Sequence, residues 1–403
     1  MLHLIAFVSL FLVGRADAYQ ITFCAEYQTD YVDADLASPL DDYFEGNQNR
    51  PARGALIKVY RNSDQALLFS GNAAEDGADE GCVGPWSIST AVDVKILSTA
   101  TLNGNEIRVK NDDTNNDVYA SAALTNWNPG STQTKPIATL NVHPAWNTAA
   151  AAGWALHRRN GGLSGVSLDF FVDDSTPSCS QSCSSGGDVW LNSGGSDARY
   201  IIVHEMGHAL GYWRDEQNPV SPDYGADEGV CFSNALNVHE MNQKEFTSAA
   251  ASEGWAHFYA AVAFNDSSDT SCGFVYYKPQ DYNLNTVVET AANTYLDCDI
   301  GPTSPNVADF AYMETYCDGT FENRGVELDW LRFWWDFYTE TTVTFTTCAD
   351  IFDGANPKNW NDTDAGTLFD DPFFRLAVSA DNEGWGTEFL DHAADNGVDH
   401  YQP

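Results

Sequence analysis

The run His204-Glu205-Met206-Gly207-His208 constrains this chain more than any other stretch. Histidines four apart lie on one face of an α-helix, one turn above the other; in a strand they would stand about 13 Å apart. On a helix the two imidazoles can grip one zinc ion, with Glu205 beside them to take a proton from the water that zinc activates. A zinc ion that does chemistry needs a third protein ligand and an open position.

Composition narrows the setting. The chain has 403 residues, 43% apolar and 13% aromatic, enough for folded cores and long for a single one. Residues 1–18 read as a secretory signal: an apolar stretch over 4–13 is followed by Ala16-Asp17-Ala18, a small-x-small cleavage site. A secreted, extracellular protein with 1–18 removed is expected, and no later apolar run is long enough to span a bilayer. The 9 cysteines suit an oxidising compartment, with Cys24 and Cys82 a candidate staple and Cys179 and Cys183 a candidate local loop; the odd count leaves one thiol over. A net charge of −39 excludes nucleic acid and anionic membrane as partners, since both need a basic surface. It reads as a solvated acidic surface. The oxygen-rich stretch 111–117 has no calcium-loop pattern and reads as a turn.

Residues 19–135 alternate as strands do. Ile21, Phe23, Ala25 and Tyr27 share a face, as do Ile57 with Val59, and Val92, Val94 with Ile96. Asn103-Gly104 is a hairpin turn signal. The pattern predicts a β-sandwich, and it resembles the prealbumin-like sandwiches appended to secreted peptidases. The Pro-, Gly- and Ser/Thr-rich stretch 126–136 reads as a linker. Beyond it the sequence predicts a strand over 137–142, an Ala-rich helix over 146–159 stopped by Gly161-Gly162, and strands over 166–172 and 188–192. Ser196 or Asp197 then caps the helix of the histidine motif.

That strand–helix–strand–strand–helix order, with HEMGH on the last helix, resembles the catalytic half of the zincin metallopeptidases. The resemblance implies that strand 188–192 is an exposed sheet edge holding extended peptide by backbone pairing. Two third ligands are open. Through Gly211 the run resembles a metzincin, but that pattern's ligand position holds Arg214, which stays protonated; Asp215 lies one residue out of register. The segment 244–261 predicts a second helix, whose small residues permit close approach and place Glu253 opposite His204 and His208. The Ser252-Glu253-Gly254-Trp255-Ala256 run resembles the glutamate helix of gluzincins, which completes a His-His-Glu site. His257, one turn beyond Glu253, is a candidate to orient a metal ligand or to donate to an oxyanion; His239 is a second candidate stabiliser.

The sequence thus predicts an α+β chain: an N-terminal β-sandwich (19–135), then a zincin-like catalytic domain (136–403) with its catalytic half at 136–265 and an α-rich C-terminal half at 266–403. The expected cofactor is Zn2+, held by His204, His208 and Glu253 with Glu205 as general base. The expected partner is a protein or peptide substrate, with no integral membrane segment. A zinc hydrolase of a non-peptide amide or ester, or a non-proteolytic binding or adhesion protein, are the alternatives.

Overall fold

A computed structural model describes residues 17–29, 48–111, 118–140, 142–172, 182–192, 195–214 and 244–264, and, further on, 273–274, 296–297, 324–327, 330–331, 334–335, 338 and 344–349. The leader before residue 17, the turn at 112–117, Asp215, His239, Cys179 and helices expected near 371–380 and 386–395 lie outside them.

Twelve strands carry the main architecture: β1 (Tyr19–Thr29), β2 (Gln48–Pro51), β3 (Ala55–Arg61), β4 (Leu67–Asn72), β5 (Cys82–Ile88), β6 (Val92–Leu102), β7 (Asn105–Lys110), β8 (Ala120–Trp127), β9 (Gln133–Ala138), β10 (Ser167–Phe171), β11 (Cys183–Ser185) and β12 (Asp188–Trp190). Alternation decides their faces. Ile21, Phe23, Ala25 and Tyr27 of β1 are all buried, as are Ile57 and Val59 of β3 and Val92, Val94 and Ile96 of β6. The β6–β7 turn is the Asn103-Gly104 pair, both with positive φ (50° and 77°), as a two-residue hairpin requires.

Two mixed sheets result. In the first, β1 pairs antiparallel with β2 and β5 and parallel with β9, and the Cys24–Cys82 disulfide joins facing residues of β1 and β5. The second has 8 strands in the order β11-β12-β10-β7-β6-β3-β4, with β8 also on β6. Helix α1 (Pro144–Arg158) packs against both sheets through β1, β6 and β7. Its alanines let it lie close, Pro144 starts it without losing a needed donor, and His143 Nδ1 caps it by accepting from Ala145 N at 3.1 Å. Tyr27 of β1 stacks on Trp146 of α1 with ring centres 5.7 Å apart.

The expected fold class is overturned. Among the described residues strands make up 43% and helices 32%, in two large mixed sheets rather than a sandwich followed by an α-rich zincin-like domain. The physical reason is the parallel pairing of β7 with β10, which carries one sheet across the stretch read as a linker, while β9 begins inside that stretch. Alternation shows which segments are strands and is silent about their neighbours. Strand β12 is also not the expected edge: it pairs parallel with β10 and antiparallel with β11, so β11 is the outer strand among the described residues.

An ion cluster ties β7 to β10. Arg108 grips Asp169 with two bonds, Nε to Oδ1 at 2.6 Å and Nη2 to Oδ2 at 2.9 Å, and Lys110 Nζ reaches Oδ2 at 2.5 Å. Asp188 faces Asp169 across the β10–β12 pair. Burial, and then the Asp169 carboxylate, push the Asp188 acid above its ordinary range, against the pull of Lys110 and Arg108. A raised acid means the fold prefers the protonated form. Asp188 therefore favours folding below its unfolded pKa and loses that contribution as pH rises through the folded value. Asp188→Asn is expected to raise the thermal midpoint at pH 7, with the gain shrinking as pH falls toward the ordinary carboxylate range; unfolding scans from pH 3 to pH 7 check this.

Candidate metal centre

Helices α2 (Arg199–Arg214) and α3 (Thr247–Phe264) form the site. Helix α2 begins after a short turn over Gly195–Asp197; Ser196 lies in that turn and is buried, with no side-chain partner for its Oγ among the described residues. From Tyr200 to Gly211 every residue of α2 is buried except His208. The helix is apolar around most of its girth because it is covered on several sides: by α1, by β11 and β12, and by α3.

Two glycines set how closely the parts approach. A Cβ on Gly207, between the two histidines, would lie 2.9 Å from Ala256 Cα of α3, so only glycine lets the backbones meet there. A Cβ on Gly254 would press on Trp330 and lie 2.8 Å from the carbonyl oxygen of Glu327. The segment bearing Glu327 arrives there by strand pairing. Strand β13 (Lys244–Phe246), directly before α3, pairs antiparallel with a strand at Arg324–Val326, directly before Glu327. Aromatic packing holds α3 in place: Trp255 stacks on Phe345 at 5.7 Å and Phe258 on Trp334 at 5.9 Å. Each such ring contributes about 1.5–3 kcal/mol by burial.

This packing brings the motif residues together. His204 Nε2 lies 3.1 Å and His208 Nε2 3.0 Å from one and the same oxygen, Glu253 Oε2. Glu205 is buried beside them, and one donor atom each from His204, Glu205 and His208 fall within 4.8 Å of one another. An overlapping group, His204, Glu253 and His257, meets the same limit and is fully buried. A buried His/Glu group that can hold a metal ion is therefore present. His208 is the side chain that faces outward, 16% exposed against 4% for His204 and 3% for Glu253. The cluster opens to solvent at the His208 end.

The donor chemistry fits a divalent cation. Burial first, then the neighbouring His257, push the His204 ring down to about 3, against the pull of Glu253, so it is neutral at pH 7 as a metal ligand must be. Ligand atoms at about 2.0–2.1 Å from a tetrahedral zinc are about 3.3 Å apart. The separations of 3.0 and 3.1 Å need to open by only a few tenths of an ångström.

Of the candidates read from sequence, His204, Glu205, His208, Glu253 and His257 converge here, whereas His239 and Asp215 lie outside the described residues. Glu327 was missed. It is fully buried, and its Oε2 lies 2.9 Å from His257 Nε2. Its signal was present: an acidic residue between Val326 and Leu328 in a Trp-rich segment, where a carboxylate needs a partner. The chain matches no protein-family model, and no curated protein matches it.

Because Gly207 admits no side chain without backbone movement, Gly207→Ala is expected to cost about 1–3 kcal/mol of stability. By separating α2 from α3 it should also weaken metal binding about tenfold or more. Denaturant unfolding with a chelator present, and metal titration of the folded protein, check the two effects separately.

Proposed function

We propose that this protein is a secreted zinc-dependent hydrolase that cleaves peptide bonds, with a ligand set of the gluzincin kind. The observation that carries the reading is the convergence of both motif imidazoles on one Glu253 oxygen, with Glu205 buried alongside. His204, His208 and Glu253 would hold zinc, with His208 the ligand that meets solvent. Zinc bound there supplies Lewis-acid activation of water and of the scissile carbonyl. Glu205 does the proton work: it accepts the proton of the attacking water and passes it to the leaving amine. His204, kept neutral by burial, binds the ion through its lone pair and takes no part in the proton transfer.

An extended peptide suits the surroundings. Strand β11 packs against α2 and is the outer strand of the sheet among the described residues, so its backbone can pair with a substrate strand next to the site. Secretion is supported by the apolar leader and by the Cys24–Cys82 disulfide, which needs an oxidising compartment. Cys183 is also disulfide-bonded. No helix among the described residues is long and apolar enough to cross a membrane.

The test uses the purified full chain. Wild type is expected to hold one zinc per chain and to cleave casein or a peptide library. Glu205→Gln should keep its zinc and lose activity by about 10²–10⁴-fold. Equal activity in Glu205→Gln removes the mechanism, and hydrolysis confined to ester or non-peptide amide probes moves the substrate class. A chain that binds zinc and cleaves none of these probes is a binding protein instead.

A further inference from the structure

The donor atoms around this site outnumber those a working zinc needs. Besides His204, His208 and Glu253, His257 stands one turn beyond Glu253 on α3, its ring 4.2 Å from the His204 ring and tilted by 36°. A donor nitrogen of His257 lies within 4.8 Å of the donors of His204 and Glu253. Four protein ligands close a tetrahedral zinc site and make it structural, whereas three leave the position that chemistry uses. Something has to keep the fourth donor away.

We propose that Glu327 keeps the metal site open by holding His257 out of it. The assignment rests on the hydrolase reading above and names the residue that makes that reading possible. His257 Nε2 and Glu327 Oε2 are 2.9 Å apart, and both side chains are completely buried. A carboxylate in such a place is costly without a partner, so Glu327 has a strong claim on the imidazole. The contact is built in from two sides: Gly254 leaves room for the Glu327 backbone against α3, and the pairing of β13 with Arg324–Val326 fixes where Glu327 begins. With the carboxylate gone, His257 is a buried imidazole with a donor within 4.8 Å of those of His204 and Glu253, and it can join them as a fourth ligand.

The full-length protein with cobalt(II) in place of zinc provides the readout, because azide entering an open position changes the cobalt absorption spectrum. Wild type is expected to bind one cobalt per chain and to respond to azide. Glu327→Leu should retain its cobalt at least as tightly as wild type, while its azide affinity falls by about tenfold or more. The double change Glu327→Leu with His257→Phe replaces both polar partners by apolar ones, which folds tolerate well, and should restore the azide response. If Glu327→Leu fails to fold, Glu327→Asn, one methylene shorter and neutral, carries the same expectation. A Glu327 variant that keeps its cobalt and binds azide as wild type does overturns the proposal, as does one that loses cobalt or azide without restoration in the double variant. Wild type that binds no metal, or binds it without any azide response, instead sinks the hydrolase reading, so the two failures are told apart.

Discussion

Helices α2 and α3 approach until the backbone of Gly207 all but touches Ala256, and every feature of the site follows from that distance. A histidine pair on one helix is two-thirds of a ligand set. A second helix at backbone contact brings the Glu253 carboxylate to 3.1 and 3.0 Å from the two rings. The contact survives because both helices are locked from outside. The sheet and α1 cover α2, and the aromatic segment around Trp334 and Phe345 covers α3.

How much of this could be read from the sequence follows from how local each feature is. The inward faces of β1, β3 and β6, the Asn103-Gly104 hairpin and the helices bearing His204 and Glu253 are written within a dozen residues each, and alternation, turn chemistry and helical spacing suffice for them. The sheet partners are not written that way. The parallel β7–β10 pair joins strands separated by two further strands and α1, and β12 looks like an edge until β11 is placed beside it. Treating the strands before and after residue 135 as separate units gave the wrong fold class for that reason. Glu327 belongs to the same category: it sits far along the chain from His257, and the strand pairing before α3 brings the two together.

Exposure runs in one direction through the cluster, and it assigns different work to chemically similar residues. His208 is partly open, His204 and Glu253 are nearly closed, and His257 with Glu327 is sealed. Among the described members of the cluster, His208 is the one that meets solvent. A carboxylate at the sealed end can serve position and charge but cannot meet a solute, whereas Glu205 shares the helix and the donor group of His208.

Charge gives the arrangement its final constraint. Among 58 acidic and 19 basic residues, cations are scarce, and several are committed elsewhere: Arg108 and Lys110 to Asp169, Arg53 to Glu80, and Arg199 over the rings of Tyr200 and Phe264. Yet two buried carboxylates, Glu205 and Glu253, lie beside His204, which burial keeps neutral, and a third, Glu327, is buried against His257. Concentrating negative charge away from water is unfavourable unless positive charge accompanies it. A metal ion among His204, His208 and Glu253 would supply that charge beside Glu205 and Glu253, so the electrostatics of the buried cluster favour the same kind of occupant as its donor geometry.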